Sequence, residues 1–162
     1  MIRDSKPDDL EPIVELYNHY IRETAITFDL EPHTVDERRS WFDSFDREGR
    51  HRLLVAEDEG RVVGYAYSGT FRPRKAYDTT VESTIYLAPD ATGKGIGRQL
   101  YSALFNALDD QDVHRVIAGI TMPNDASVAL HTSFGFKLVG VMTECGYKFD
   151  QYHDVAWYEK AL

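Results

Sequence analysis

A glutamate, a glycine-rich turn and a basic run are the groups in this sequence best suited to chemistry. Glu82 lies inside Thr80-Val81-Glu82-Ser83-Thr84-Ile85-Tyr86-Leu87, a β-branched and aromatic stretch that stops at Pro89-Asp90. A carboxylate in mid-strand runs against strand propensity and is costly to bury without a partner. Burial would raise its pKa and make it a stronger base than a free glutamate. An edge-strand glutamate facing water or an arginine satisfies the same pattern. Just beyond comes Thr92-Gly93-Lys94-Gly95-Ile96-Gly97-Arg98. Its glycines let successive N–H groups point one way, and the following helix adds its unpaired first-turn N–H groups. The product is a nest for an anion such as phosphate or pyrophosphate, with Lys94 and Arg98 adding positive charge. The spacing is neither a Walker A loop nor G-x-G-x-x-G, and a tight strand-to-helix reversal would use the same glycines. Ahead of the strand, Arg72, Arg74, Lys75, Ala76 and Tyr77 form a basic segment in an acidic chain. The planar arginine fork suits carboxylate-like paired oxygens, although solvated loops also carry such runs.

The elements that must position these groups follow from periodicity. Alternation predicts Val81, Ser83, Ile85 and Leu87 on one face of the central strand, and Glu82, Thr84 and Tyr86 on the other. From Ile96 the spacing becomes helical, with Leu100, Leu104, Leu108, Ala103 and Ala107 on one apolar face. Upstream, Ile2-Arg3 predicts a short strand. A helix follows, capped by Asp8 or Asp9, with a stripe of Leu10, Ile13, Val14, Tyr17, Tyr20 and Ile21. Thr24 to Glu31 predicts a loop whose Ile26 and Phe28 plug the core or wall a pocket. Thr34 to Phe45 predicts a second helix with Trp41 and Phe42 inward. Leu53–Glu57 and Arg61–Ser68 predict a hairpin turning at Asp58-Glu59-Gly60. Downstream come a strand from His114 to Thr121, a short helix from Asn124 or Asp125 to Phe134, and two long strands, Lys137–Tyr147 and Phe149–Lys160. The sum is one α/β domain spanning 1–162, a mixed sheet with helices packed on it.

Composition narrows the function. A chain of 162 residues, 43% hydrophobic and 12% aromatic, can bury one real core. No apolar run approaches the roughly 18 residues that span a membrane. The first residues lack the apolar stretch of a secretory signal. One cysteine, Cys145, excludes an internal disulfide and fits a reducing, cytoplasmic setting; without electropositive neighbours it reads as packing. A net charge of -9 opposes nonspecific binding to nucleic acid or anionic membrane. The six histidines lack zinc-type spacing, so no metal is expected.

The order strand, glycine turn, helix resembles the acetyl-coenzyme A site of the GNAT N-acetyltransferase superfamily. The likeness extends over essentially the whole chain. Tyr17-Asn18-His19-Tyr20, Thr27-Phe28, Glu31-Pro32, Ala76-Tyr77-Asp78 and Thr80-Val81-Glu82-Ser83-Thr84 are similar to phosphinothricin acetyltransferases and their amino-acid-acetylating relatives. So are Pro123-Asn124-Asp125 with Leu130-His131, Gly146-Tyr147-Lys148 and His153-Asp154-Val155. One departure stands out: the Gln or Arg that usually starts the pyrophosphate motif is Thr92 here.

The resemblance implies a mostly antiparallel sheet with a splayed parallel pair and helices on both faces. It implies that Glu82 is the general base, acting directly or through water. The general acid would be His131, which as a lone histidine could instead be satisfied by a backbone carbonyl. Ile85, Tyr86 and Leu87 would pair with the pantetheine arm and polarise the thioester. Thr92 to Arg98 would hold the diphosphate, with Asn124 and Ser133 as further cofactor contacts. Unaided, Asn124 reads as a helix cap and Ser133 as a surface hydroxyl. Phe28, Arg72, Arg74, Lys75, Ala76, Tyr77 and Thr84 would surround a small amino-acid-like acceptor such as phosphinothricin, methionine sulfoximine or methionine sulfone. Transfer would be direct, through a ternary complex, in a homodimer. Two alternatives remain at this stage: an acetyltransferase of protein N-termini or lysines, and a non-catalytic acyl-coenzyme A sensor.

Overall fold

The computed structural model describes residues 1–162. Its centre is a seven-stranded sheet in the order β1-β2-β3-β4-β5-β7-β6. The strands are β1 (Ile2–Asp4), β2 (Leu53–Asp58), β3 (Arg61–Thr70), β4 (Thr80–Leu87), β5 (Arg115–Thr121), β6 (Lys137–Lys148) and β7 (Gln151–Ala161). The helices are α1 (Leu10–Glu23), α2 (Val35–Phe42), α3 (Ile96–Leu108) and α4 (Asp125–Ser133). All strand pairs are antiparallel except β4 with β5.

Local chemistry sets most boundaries. The β2–β3 turn uses Glu59 and Gly60, both with left-handed φ (49° and 80°), the twist a tight hairpin demands. At α2, Thr34 Oγ1 accepts from the Glu37 amide while the Glu37 carboxylate accepts from the Thr34 amide, a reciprocal cap that starts the helix. The helix ends at Phe42, three residues short of the expected Phe45. Asp9 does not cap α1 through its side chain. Its buried carboxylate instead accepts from Arg3 at 2.7 and 2.9 Å, and Arg3 also binds Glu57, tying β1, β2 and the helix entry together.

Two faces of β4 then diverge in role. Tyr86, with Tyr65 and Tyr67 of β3, packs against Tyr17 and Tyr20 of α1 and Trp41 of α2. On the opposite face Val81 and Ser83 meet α3, whose buried side is Leu100, Tyr101, Leu104, Phe105 and Leu108. The expected Ala103 and Ala107 are only half-buried; the aromatic Tyr101 and Phe105 take the core instead, because α4 must also be packed there.

Candidate active site

β4 and β5 pair only at Thr80–Arg115, Val81–Val116 and Glu82–Ile117. Beyond Glu82, β4 stays with β3 as far as Leu87, while β5 stays with β7 as far as Thr121. The sheet therefore opens a wedge between the two parallel strands. The Ala88 amide bonds to the Val63 carbonyl. Strand alternation from that pair turns the amides of Glu82, Thr84 and Tyr86 toward β3, and those of Ile85 and Leu87 into the wedge. Two backbone donors thus face an opening with no strand to pair with.

A cavity of about 50 Å³ occupies the wedge, lined on one side by Ser83 to Tyr86 and on the other by Gly119 to Thr121. Ile26, Tyr101, Asn124, Ser127 and His131 complete it. The glycine turn follows the end of β4, where Gly97 meets Ile85 of the cavity wall. Gly93 and Gly95 hold left-handed φ of 73° and 78° with nothing within 4 Å of a would-be Cβ. Their role is the curl itself, and α3 begins immediately after Gly95 with its first amides unspent. Gly97 is buried against Leu87, Ile85 and Leu130. Thr92 turns its hydroxyl back onto the Pro89 carbonyl at 2.9 Å, so that side chain adds nothing to the nest. Lys94, Arg98, Arg72, Arg74 and Lys75 are exposed, and none takes part in an ion pair of the fold. Arg72, Arg74 and Lys75 ahead of β4, and Lys94 and Arg98 beyond its end, leave positive potential free for anionic groups in a chain of charge -9.

Glu82 stands at the base of the wedge, on the Tyr67 face. It is half-buried, and burial pushes its carboxyl above the ordinary value; the nearby Arg72 guanidinium opposes that shift. Thr84 lies two residues on, across from Tyr67 in the register. Burial and the Glu82 charge raise the Tyr67 phenol.

His131 is on the other face. It is 3% exposed, and its Nδ1 lies 2.7 Å from the Ser127 carbonyl, which can only accept, so Nδ1 carries the proton. Nε2 lies 2.8 Å from the Tyr101 hydroxyl, which in turn is 3.4 Å from Ser83 Oγ. Desolvation lowers the His131 pKa, keeping the ring neutral with Nε2 as the acceptor of the Tyr101 proton. Burial raises the Tyr101 phenol, which favours that donor role. The histidine is thus both satisfied by a backbone carbonyl and part of the cavity wall.

The wedge brings Thr84, Ile85, Tyr86, Asn124 and His131 to one cavity. Tyr86 contributes wall only, since its amide faces β3 and its ring joins the aromatic cluster. Asn124 caps α4, its Oδ1 accepting from the Ser127 amide at 3.1 Å, which leaves its amide nitrogen for a ligand. Ser133 is not part of the cavity: its hydroxyl donates to the Leu130 carbonyl within its own helix. Arg72, Arg74, Lys75, Ala76 and Tyr77 occupy an exposed loop, where Arg72 lies over Phe71 and Lys75–Tyr77 forms one 3-10 turn. Phe28 lies beside His153, outside the cavity, and Ile26 from the same loop reaches the cavity instead. Cys145 is exposed, at an irregularity in β6, and not packed in the core. Sequence reasoning missed Tyr101. Its signal was a hydroxyl on an otherwise apolar helical stripe, which needs a partner when buried. No cluster of three or more His, Cys, Asp or Glu stands where a metal could be held.

Comparison with known proteins bears on the family and the fold. A model of the acetyltransferase (GNAT) domain matches residues 2–157. A phosphinothricin N-acetyltransferase of Streptomyces coelicolor is 52% identical, over 99% of this chain and 95% of the relative. An L-methionine sulfoximine/L-methionine sulfone acetyltransferase of Pseudomonas aeruginosa is 35% identical, over 99% of this chain and 94% of the relative. Among solved structures, a GNAT superfamily phosphinothricin acetyltransferase of Sinorhizobium meliloti in complex with acetyl-coenzyme A superposes with a TM-score of 0.95. It is 36% identical, covering 100% of this chain and 88% of its own.

Proposed function

Because the chain belongs to the GNAT acetyltransferase family, we propose that it moves acetyl from acetyl-coenzyme A directly to the α-amine of a small amino acid or analogue. Phosphinothricin, methionine sulfoximine and methionine sulfone, the acceptors named for its relatives, are the first to test. The observation that carries the proposal is Glu82: a carboxylate raised by burial, at the foot of a wedge whose free backbone donors face the same opening.

The residues fit the cosubstrate. The left-handed glycines and unspent α3 amides suit a diphosphate, Lys94 and Arg98 add charge, and the Ile85 and Leu87 amides suit an extended amide arm. Asn124 offers its amide nitrogen to the same arm. Bound there, acetyl-coenzyme A supplies an activated thioester. Glu82 takes a proton from the incoming ammonium, directly or through water, leaving a nucleophilic amine. A wedge-facing amide of Ile85 or Leu87 stabilises negative charge on the reacting oxygen. The departing thiolate takes the proton of the Tyr101 hydroxyl, which lines the cavity beside His131 Nε2, and water reprotonates the phenolate; neutral His131, with no proton on Nε2, orients that hydroxyl. Arg72, Arg74 and Lys75 attract the acceptor's carboxylate and polar side-chain oxygens. Cys145 lies outside the cavity, which supports direct transfer without an acyl-enzyme.

A second copy of the chain is the partner that fits the free edge of the sheet. Leu138, Val139, Val141 and Met142 of edge strand β6 are all exposed, an apolar strip that a monomer would leave in water. Light scattering should give twice the chain mass. For the activity, thiol release from acetyl-coenzyme A is followed with a panel of amino acids and the three analogues. Turnover with at least one free amino acid or analogue is expected, and none with any amine refutes the proposal.

A further inference from the structure

Gly146 sits where β6 recovers its register with β7, opposite His153. Between Met142 and Gly146 the strand bulges, with Glu144 in the left-handed region (φ 51°) and its amide held by Asp154 Oδ1 at 2.7 Å. Gly146 itself has no left-handed φ, so the backbone alone does not require glycine. What excludes a side chain is Phe28. A Cβ at Gly146 would overlap Cε2 and Cζ of the Phe28 ring and lie 2.8 Å from its Cδ2. The ring rests on bare main chain.

Phe28 is fixed from both flanks. The Thr27 hydroxyl shares a hydrogen bond with the Tyr17 hydroxyl at 2.8 Å. The Asp29 carboxylate accepts from Tyr17 at 2.7 Å and pairs with His33 at 2.9 Å. The Thr27 carbonyl accepts from Nζ of Lys148 at 2.8 Å. Lys148 is 4% exposed and belongs to no ion pair, and its one hydrogen bond fixes the main chain next to Phe28. Burying an amine for a single carbonyl is costly, which marks that carbonyl's position as important. His153 Nε2 meets the Lys148 carbonyl at 2.9 Å, and its ring lies 6.1 Å from that of Phe28. The same loop puts Ile26 into the wedge cavity, and its Thr27 is bonded to Tyr17, whose ring packs on Tyr86 of the Glu82 face.

We propose that Gly146 and Lys148 are specificity-determining residues: they seat the Phe28 ring as a wall of the acceptor groove and so set how long a side chain it admits. Gly146 gives the ring room to stand back from the groove. Lys148 stops the loop from drifting. The proposal rests on the acetyltransferase assignment above, and its test separates the two.

Acceptors of increasing side-chain length, from alanine to methionine sulfone, are compared in wild type, G146A, K148M and F28A. In G146A the displaced ring narrows the groove, so KM for methionine sulfone rises about tenfold or more while that for alanine changes less than threefold. In K148M the wall loosens, and the ratio of kcat/KM between long and short acceptors falls toward one. Within the F28A background, adding G146A has no further effect on that ratio. Coenzyme A affinity by calorimetry stays within about twofold in every variant, which excludes misfolding as the cause. Equal losses for all acceptors in G146A, or the same loss with and without Phe28, overturn the proposal. Should wild type acetylate no amine, the assignment itself fails. Thermal denaturation then decides the seat: G146A must cost stability when Phe28 is present and none in F28A, and any other result overturns it.

Discussion

Replacing Glu82 by glutamine separates a catalytic carboxylate from a structural one. The two side chains have nearly the same shape, so packing against Tyr67 and Thr84 is preserved while the base is lost. A positioned general base contributes about 10²–10⁴-fold. At about 1.36 kcal/mol per decade, E82Q should therefore raise the barrier by about 2.7–5.4 kcal/mol. Stability should move the other way. The carboxyl's pKa is raised in the folded protein above its ordinary 4.5, chiefly by desolvation. Below pH 4.5 both folded and unfolded chains hold the proton, and no penalty exists. As pH rises through the raised folded value, the folded state must bury a charge that the unfolded chain carries freely. Wild type thus loses stability over that window, and the glutamine variant does not.

The assay is thiol release for kcat, with coenzyme A affinity as the control for an intact site. Thermal melts at pH 4 and pH 8 complete it. The expected result is a kcat lower by about 10²–10⁴-fold, cofactor binding unchanged, equal melting temperatures at pH 4, and a higher one for E82Q at pH 8. For a domain this size each kcal/mol recovered appears as about 2–4 °C. A kcat within threefold of wild type refutes the role of Glu82 as base. A stability loss that is the same at both pH values shows that its burial is compensated and undoes the electrostatic reasoning.

Three further outcomes follow from the same geometry. The acid limb of kcat/KM should lie above pH 4.5, and R72Q should move it higher, since Arg72 is the charge that pulls Glu82 down; a pH–rate profile checks both. Y101F leaves Nε2 of the buried His131 without its donor and should cost about 1–3 kcal/mol in chemical denaturation. G95A forces a side chain into a φ of 78° and should cost about 1–2 kcal/mol, weakening coenzyme A binding by about tenfold in calorimetry if the nest must relax.

Much of the fold was legible because the chain's local signals agree. The alternation around Glu82, the Thr34–Glu37 cap and the Glu59-Gly60 turn each determine structure within a few residues. The candidate site was legible where it depends on such segments, as in the glycine turn and β4. It was not legible where distant segments meet. Asp9 looks like a helix cap until Arg3 and Glu57 claim its carboxylate. Ser133 and Thr92 look available until each is seen bonded to a carbonyl three residues back. Cys145 looks like core until a bulge in β6 turns it to solvent. Tyr101 looks like one more member of an apolar stripe, and only the approach of α4 makes it a partner of His131.

The division of labour across β4 explains why so short a strand carries so much. Neighbouring residues in a strand face opposite ways, so Glu82 and Ser83 lie on different sides of the sheet although adjacent in sequence. On one side Glu82 is half-buried on the face it shares with Tyr67; on the other Ser83 contacts Tyr101 and, through it, His131. A closed sheet would insulate these two groups from each other. The parting of β5 from β4 just after Glu82 removes that barrier at the one place where a thioester could reach between them. A base and an acid held on opposite faces cannot neutralise one another by direct proton exchange. They can still act on two ends of one reacting centre that passes through the wedge. That requirement also accounts for the free amides of Ile85 and Leu87: the strand that would have paired with them has moved aside, leaving their hydrogen-bonding capacity for the ligand that fills the opening.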